Sequence, residues 1–258
     1  MLILNNMDHW ASMYDWIYSW KQDDISFYVN EARKSGGPVL ELGSGTGRVT
    51  IPVASSGIEI VGMDMSPTML NIAQGKADDQ ITNTNNLTFI EGDMTSFSLN
   101  QKFPLIIIPF RGFLSLLTPE EQTACLNCVK QHLSRDGILI FDVFVPEPDL
   151  LSEDSTTPFH FGDVSRPEDG KRLVIWHQNR FDNYNQINNA RTIVEQIDEY
   201  GEVISRKYLD FQTRYSHRFE LQNLLVSCGF RIEYLYGSFE YTPFDPDSSE
   251  MIWLASIK

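Results

Sequence analysis

The chain has little cysteine and little positive charge for its length. Only three of its 258 residues are cysteines, too few for a disulfide framework. Its 20 lysines and arginines stand against 35 acidic residues, a formal net charge of −15 at pH 7. A nucleic-acid groove needs a basic stripe to neutralise phosphates, and docking on anionic lipid needs basic clusters. The composition therefore argues against nucleic acid and membranes as partners, and it favours a small or a basic substrate.

Long apolar runs are missing as well. No stretch of about 18 consecutive apolar residues occurs, so no transmembrane helix is predicted. The first 20 residues contain Asp8 and Asp15 and no basic leader before an apolar core, unlike a secretory signal. We therefore expect a cytoplasmic protein. Its 42% hydrophobic and 12% aromatic content is typical of a globular protein, and no motif specifies an oligomeric state.

The most informative stretch is a short apolar strand followed by three alternating glycines. The strand, 39–42, carries one acid, Glu41, and Gly43, Gly45 and Gly47 follow it. Glycines allow a tight turn whose backbone approaches a ligand closely, just before the N-terminus of a helix. The spacing differs from the Gly-x-Gly-x-x-Gly of dinucleotide sites, because Arg48 stands at the position of the third glycine.

Two further predicted strands end in acids. Strand 58–63 is followed by Asp64, and strand 87–91 is followed by Gly92 and Asp93. In nucleotide-binding folds, an acid at the end of the second strand accepts hydrogen bonds from ribose hydroxyls. Taken in order, these features resemble the class I S-adenosylmethionine-dependent methyltransferases, whose first motif is an acid two residues before a Gly-x-Gly-x-Gly turn.

The resemblance implies S-adenosyl-L-methionine as the cofactor and S-adenosyl-L-homocysteine as its product. It also implies a set of cofactor-binding residues along the first half of the chain. That set is Tyr14, Tyr18, Glu41, Gly43, Gly45, Gly47, Asp64, Met65, Asp93, Met94 and Pro109.

Individual roles follow from the same resemblance. Glu41 is expected to orient the methionine part of the cofactor, and Asp64 to accept the ribose hydroxyls. Met65 would pack against adenine. Asp93 would take the adenine amino group, and Met94 would donate its backbone N–H to the ring.

Some of these residues also have plain structural explanations. Glu41 could belong to a buried ion pair, and Asp64 could assist the N-terminus of the next helix. Asp93 could simply form a turn. Tyr14 and Tyr18 resemble an N-terminal lid that folds over the cofactor, but they could equally pack as part of an amphipathic helix.

Alternation of strands and helices predicts a doubly wound, mostly parallel α/β sheet. The run 103–110 is almost continuously apolar, as expected for a central parallel strand buried on both faces. Strand 137–144 follows a helix that opens with a capping box at 118–121. The last two strands, 230–236 and 251–257, complete a seven-stranded Rossmann-like methyltransferase sheet by resemblance.

This alternation breaks after residue 145. Residues 146–170 contain four prolines and are predicted to form a loop. Three strands joined by hairpin turns then predict an antiparallel insertion. We expect a single methyltransferase domain that comprises a helical lid (1–35), a cofactor-binding core (36–145 and 217–258) and an insertion (146–216) that covers the substrate or forms a dimer.

Catalytic residues are predicted less sharply, because methyl transfer from a sulfonium requires alignment more than acid–base chemistry. Weak candidates are His160 and His177 in the insertion, Tyr18 in the lid and Arg111 after the fourth strand. Both histidines are more readily explained as surface or half-buried strand residues.

Arg111 has several possible partners. It could bind an anionic group of the substrate or the carboxylate of the cofactor. It could equally form an ion pair with Glu41 or Asp142.

A metal site is not predicted. Cys125 and Cys128 form a lone Cys-x-x-Cys on one helix face, without a second pair or a nearby histidine to complete a zinc site. Both are therefore assigned to the core.

The leading hypothesis is methyl transfer to a nitrogen or oxygen of a small molecule by in-line displacement. The block 103–144 is most similar to the amine and amino-sugar N-methyltransferases. One alternative is a nicotinamide-dependent oxidoreductase, against which stand the glycine spacing and the lack of a Tyr-x-x-x-Lys pair. Another is a protein that binds S-adenosylmethionine without catalysis.

Overall fold

The computed structural model of the chain describes residues 7–81, 84–152, 156–166 and 169–258. These residues form two compact units. The core unit consists of residues 22–145 and 216–258, and the insertion unit of residues 146–215 together with the N-terminal residues up to 21. Residues 22–35, which the sequence placed in the lid, fall in the core unit, where Phe27, Tyr28 and Ala32 join a hydrophobic cluster.

Helices and strands alternate through the core unit, and strands dominate the insertion unit. The helices are α1 (Met7–Ile17), α2 (Ile25–Ser35), α3 (Thr50–Ser55), α4 (Pro67–Gln80), α5 (Pro119–His132), α6 (Pro148–Leu151) and α7 (Arg218–Ser227). The strands are β1 (Val39–Leu42), β2 (Ile60–Asp64), β3 (Leu87–Glu91), β4 (Phe103–Ile108), β5 (Leu133–Phe144), β6 (Phe159–Ser165), β7 (Arg172–Asp182), β8 (Ile187–Ile197), β9 (Val203–Arg214), β10 (Phe230–Tyr236) and β11 (Glu250–Ile257).

The core unit is built on a seven-stranded sheet with the order β10-β11-β5-β4-β1-β2-β3. Strands β1 to β5 are parallel to one another, and β11 is antiparallel to both β5 and β10. The predicted doubly wound, mostly parallel sheet is therefore confirmed. The strand order reverses between β1 and β4, and in open sheets of this kind ligands bind at the carboxyl ends of the strands beside such a switch point.

Strand β4 shows why the sheet is buried on both faces. Ile106 and Ile108 lie in one hydrophobic cluster, and Leu105 and Ile107 lie in another. Successive side chains of a strand point to opposite faces, so a continuous apolar run fills a core layer on each side.

Two helices begin at the residues that the sequence indicates. The Ser66 hydroxyl accepts the backbone N–H of Met69 (3.1 Å), directly before Pro67 opens α4. Thr118 and Glu121 form a reciprocal capping box at the start of α5. These bonds satisfy N–H groups that a helix leaves without an intrahelical partner, and so they fix where α4 and α5 begin.

The insertion unit contains a four-stranded antiparallel sheet in the order β6-β7-β8-β9. The predicted antiparallel insertion is confirmed, but the prediction of a loop over 146–170 is wrong. That range contains the short helix α6 and the edge strand β6.

The strand β6 was not predicted because its side-chain pattern is broken. A bulge between His160 and Gly162 shifts its register against β7, so Phe159 and Phe161 do not continue into a regular alternation. Pro158 directly precedes the strand. Proline cannot donate a backbone hydrogen bond, but it is tolerated at the start of an edge strand. Pairing with β7 therefore forms a strand that local sequence preferences do not indicate.

None of the helices in the described ranges is long and apolar enough to cross a bilayer.

Candidate active site

The glycine turn joins the end of β1 to the helix α3. Gly43, Gly45 and Gly47 have φ angles of 73°, 53° and 78°, in the region that side chains disfavour. A β-carbon built on Gly47 would lie 3.0 Å from the side chain of Ile51 and 3.2 Å from that of Phe89, so a larger residue here would require these side chains to shift. A β-carbon on Gly45 would have no heavy atom within 4 Å and would project into open space.

Backbone N–H groups of the turn bind acceptors within the protein. Gly43 and Ser44 both donate to the carbonyl oxygen of Met63 (2.8 and 2.9 Å). Gly45 donates to Oδ2 of Asp64 (2.8 Å). These donors are therefore already engaged, unlike those of a phosphate-binding loop, where N–H groups point at the ligand. The turn can instead bring its backbone close to a ligand.

Asp64 ends β2 and links the glycine turn to α4. In addition to the Gly45 contact, its Oδ1 accepts the backbone N–H of Ser66 (2.9 Å). The role of helix partner is thus present in the structure. A carboxylate has about four acceptor positions on its two oxygens, so these contacts are compatible with hydroxyl donors from a ligand. Met65, next in the chain, is 66% exposed and contributes little to the core.

The end of β3 lies against the glycine turn. The methyl carbon of Met94 would be 3.5 Å from a β-carbon built on Gly43. Oδ1 of Asp93 accepts both the backbone N–H and the hydroxyl of Thr95 (2.8 and 2.7 Å), so Asp93 does form the turn that the sequence suggested as its structural explanation. The three strand ends that carry Gly43, Asp64 and Asp93 are adjacent at one edge of the sheet.

Glu41 is buried within β1, and its partner is a hydroxyl. Thr50 donates its hydroxyl hydrogen to Oε2 of Glu41 (2.6 Å). Burial raises the pKa of Glu41 from 4.5 to about 8, because desolvation penalises the charged form more than the Thr50 bond favours it. The buried ion pair considered as an alternative is therefore not what satisfies this carboxyl group.

The exit from β4 carries two consecutive residues in a left-handed conformation. Phe110 and Arg111 follow the buried Pro109 with φ angles of 51° and 61°. Their backbone N–H groups donate to Oδ1 and Oδ2 of Asp142 on β5 (2.8 and 2.9 Å).

An ion pair of Arg111 with Glu41 or Asp142 was one of the alternatives that the sequence left open, and the structure shows a different partner. The Arg111 guanidinium pairs with Glu250 (2.5 Å), because β11 runs beside β5 and brings Glu250 to the same edge of the sheet. Asp142 instead receives the backbone N–H of Arg111.

The sequence did not indicate a role for Asp24, at the N-cap position of α2, or for Tyr28 within α2. Asp24 binds both terminal nitrogens of Arg48 (2.6 Å each), and the Arg48 guanidinium lies over the ring of Phe110 (4.8 Å). Tyr28 donates its hydroxyl hydrogen to Oδ1 of Asp142 (2.5 Å). The only signal in the sequence was the arginine that replaces the third glycine of a dinucleotide fingerprint.

Comparison with known proteins agrees with this arrangement. Residues 39–137, which contain the glycine turn and the acidic strand ends, match a family model described as a methyltransferase domain. The putative methyltransferase YqeM of Bacillus subtilis (strain 168) is 23% identical over 209 residues, 75% of this chain and 82% of that protein.

Solved structures share the fold over almost the whole chain. The CcbJ methyltransferase from Streptomyces caelestis has a TM-score of 0.77 and 24% identity, over 92% of this chain and 90% of that one. CalS10, described as an amino pentose methyltransferase from Micromonospora echinaspora, has a TM-score of 0.73 and 16% identity, over 95% and 96% of the two chains.

Residues 39–137 of the chain form a methyltransferase domain. The glycine turn of that domain fits S-adenosylmethionine on structural grounds. The open space beside Gly45 is a cradle that any side chain would fill. The N–H groups already engaged within the turn suit a nucleoside without phosphates better than a dinucleotide.

The remaining site residues that the sequence predicted lie in the insertion unit. Tyr14 belongs to α1 and Tyr18 to the turn after it, and their rings are 4.8 Å apart. Both side chains are half-buried.

The two candidate histidines lie on opposite faces of the insertion sheet. His160 is paired across the strands with Trp176, and His177 lies one position further along β7, so it points the other way. His160 is exposed and bonds Asp163 (2.9 Å). Burial lowers the pKa of His177 from 6.5 to about 4, and a ring nitrogen lies 2.9 Å from the Thr192 hydroxyl. The two histidines therefore cannot serve one site together.

Cys125 and Cys128 differ in their surroundings. Cys125 is fully buried in the core, and the half-buried Cys128 donates its thiol hydrogen to the Thr95 carbonyl (3.3 Å). Within the described residues, no cluster of three or more His, Cys, Asp or Glu side chains could hold a metal ion.

Proposed function

We propose that this methyltransferase transfers a methyl group to an amine nitrogen of a small molecule of the amino-sugar type. The observation that carries the proposal is the extent of the likeness to CalS10, an amino pentose methyltransferase, which covers 95% of this chain. It thus reaches well beyond the methyltransferase domain of residues 39–137 and takes in the insertion. The net charge of −15 also favours an acceptor that is cationic in solution.

We further propose that the cofactor lies across the carboxyl ends of β1, β2 and β3. Backbone atoms of Gly43, Gly45 and Gly47 would pass close to it, and Asp64 would accept the ribose hydroxyls. Adenine would lie between Met65 and Met94, with Asp93 beside its amino group. The support is that the glycine turn, the end of β2 and the end of β3 are neighbours at one edge of the sheet.

Glu41 and the N-terminal tyrosines complete this proposal. Glu41 stands on β1 two residues before the glycine turn, and by resemblance it would orient the methionine part of the cofactor. Tyr14 and Tyr18 would form the lid. The electron-rich face of an aromatic ring attracts a cation, which suits a cofactor with a positively charged sulfur.

The acceptor would approach from the β4 side of the switch point, at Pro109, Phe110 and Arg111. When bound, S-adenosylmethionine supplies a methyl group that its positively charged sulfur has activated. The residues at the edge of the sheet have to hold the acceptor nitrogen in line with that methyl group, which is where most of the rate enhancement arises. The acceptor amine first loses its proton to water, because only the neutral nitrogen has a lone pair. That nitrogen forms the new N–C bond as the C–S bond breaks, and the product ammonium then releases its proton to water. Water accepts both protons, so no general base is required.

The test is an assay for S-adenosyl-L-homocysteine with matched pairs of acceptors. Each pair consists of an amino sugar or amine and the compound with a hydroxyl in place of the amino group. We expect product only with the amino members, above the background without acceptor. Turnover of sugars and phenols that lack an amine would contradict the proposed acceptor atom. Cofactor binding without turnover of any amine or hydroxyl acceptor would favour a non-catalytic binding protein.

A further inference from the structure

The turn after β4 contains a strained backbone that the protein maintains at its ligand-binding edge. Phe110 and Arg111 are the only consecutive non-glycine residues with positive φ in the described part of the chain. Bulky residues rarely adopt this conformation, so it persists only where surrounding contacts enforce it. Strain of this kind clusters at functional sites, and here it lies at the switch point of the sheet.

Asp142 supplies the contacts that enforce it. One carboxylate binds two successive N–H groups, those of Phe110 (2.8 Å) and Arg111 (2.9 Å). The Tyr28 hydroxyl donates to the same carboxylate from α2 (2.5 Å). Both Asp142 and Tyr28 are buried, so water does not compete for these bonds.

A second contact fixes the side chain of Phe110. The Arg48 guanidinium lies 4.8 Å from the centre of the Phe110 ring, and Asp24 holds that guanidinium through two hydrogen bonds of 2.6 Å. Arg48 directly follows the glycine turn. The proposed cofactor site and the β4 turn are thus connected through one partly buried network within the core unit.

We propose that Asp142 and Tyr28 are positioning residues for methyl transfer, because together they hold Phe110 and Arg111 in the conformation that places the acceptor beside the cofactor. The inference rests on the proposed function for the identity of the acceptor. It goes beyond that function by assigning a role to two residues that touch neither reactant.

A purely structural role explains the arrangement less well. A buried carboxylate is costly, and well-packed apolar residues usually stabilise a core at least as well. Desolvation raises the pKa of Asp142 from 3.8 to about 6, because burial penalises the charged form more than the Tyr28 bond favours it. The carboxylate at this position is explained if it secures the conformation of the turn rather than the stability of the core.

The test uses Tyr28→Phe and Asp142→Asn in the full chain. Tyr28→Phe removes one hydroxyl and keeps the ring. Asp142→Asn retains the size of the side chain but turns an acceptor into a donor that faces a backbone N–H. Amide hydrogen exchange, resolved at Phe110 and Arg111 by NMR, reports on the turn directly. Steady-state kinetics with an accepted amine and cofactor titration report on function.

Ser256→Ala is the matched control. Like Tyr28→Phe, it removes one hydroxyl that donates to a carboxylate, that of Glu233 (2.5 Å). Ser256 pairs with Ile138 on β5, toward the end of the strands that lies opposite to the β4 turn. A general loss of stability should therefore appear in the control as well, whereas a positioning effect should not.

We expect exchange at Phe110 and Arg111 to accelerate on the order of tenfold or more in both variants, as a charged hydrogen bond is lost or weakened. We expect kcat to fall by about 10- to 100-fold, with the dissociation constant of the cofactor changed less than about threefold, because the loss concerns alignment and not cofactor binding. The Ser256→Ala control should show neither change.

Two results would overturn the inference. Exchange at the wild-type rate would show that Asp142 and Tyr28 do not hold the turn. Faster exchange with a kcat equal to that of the control would show that the held turn does not position the acceptor. If the wild-type protein methylates no amine, the proposed function fails on its own, and the exchange rates still decide whether these residues hold the turn.

Discussion

At the scale of single residues, Asp64 combines a structural and a proposed binding role in one carboxylate. It accepts backbone N–H groups from Gly45 and Ser66, and so it organises the start of α4 as well as the glycine turn. A variant at this position will therefore affect stability and cofactor affinity together. To separate the two effects, a control variant is needed at a nearby residue that stabilises the start of α4 and does not bind the cofactor.

We predict that Asp64→Ala weakens cofactor binding by about 1.5–3 kcal/mol, the usual contribution of a hydrogen bond to a charged group. The variant should remain folded. Calorimetric titration with S-adenosylmethionine measures the affinity, and thermal unfolding measures the stability.

Ser66→Ala provides the control for Asp64→Ala. It removes the helix cap on Met69, which costs about 1 kcal/mol of stability, and it leaves the carboxylate in place. Its cofactor affinity should equal that of the wild type. Near-native affinity in Asp64→Ala would refute the assignment of Asp64 to the ribose.

Glu41 predicts a pH dependence of stability. Its pKa rises from 4.5 in the unfolded chain to about 8 in the folded protein. Between these values the folded state binds more protons than the unfolded state, so stability falls as the pH rises through this window, by up to about 1.4 kcal/mol per pH unit. Glu41→Gln should remove this slope. Chemical denaturation at several pH values between 4.5 and 8 measures it.

Thr50→Val tests whether the slope belongs to the carboxyl group of Glu41. This variant removes the hydroxyl that binds Glu41 and keeps the acid buried, so the fall in stability with pH should persist. An identical slope in the wild type and in Glu41→Gln would contradict the buried, protonated state of Glu41.

At the scale of secondary-structure elements, local sequence signals predicted some boundaries and missed others for a physical reason. The helices α4 and α5 begin at the predicted caps, because capping depends on residues next to one another in the chain. β4 was recognisable from its continuous apolar run. The edge strand β6 was missed, because only pairing with β7 forms it and a bulge disrupts its alternation.

The turn that follows α1 carries Tyr18, and the lid hypothesis predicts that this residue distinguishes two ligands. If Tyr18 lies over the cofactor as part of a lid, its ring should attract the positively charged S-adenosylmethionine and not the neutral S-adenosylhomocysteine. We predict that Tyr18→Leu weakens binding of the former by about 0.5–2 kcal/mol, the usual range of a cation–π contact. Affinity for the latter should change less.

Titration of both ligands against Tyr18→Leu and Ser12→Ala gives the comparison. Ser12 is an exposed residue of α1, so its variant controls for disturbance of the helix. Equal losses for the two ligands would indicate packing rather than recognition of charge, and no loss for either would dispose of the lid.

At the scale of the whole molecule, the architecture could be predicted because the signals for it are periodic. Alternating strands and helices specify a parallel sheet, and the position of the site follows from the order of its strands. The network behind the site could not be predicted in this way. Tyr28, Phe110 and Asp142 are far apart in the chain and meet only because α2 packs across the sheet and β4 lies next to β5.

We propose that this protein moves a methyl group from S-adenosylmethionine to an amine. The most direct test is to incubate the wild-type protein with cofactor labelled with ¹³C in the methyl group and with an amino sugar, and then to locate the label by NMR. We predict a labelled N-methyl group on the amino sugar. A labelled O-methyl group, or label that stays on the cofactor across a panel of amines, would contradict the account.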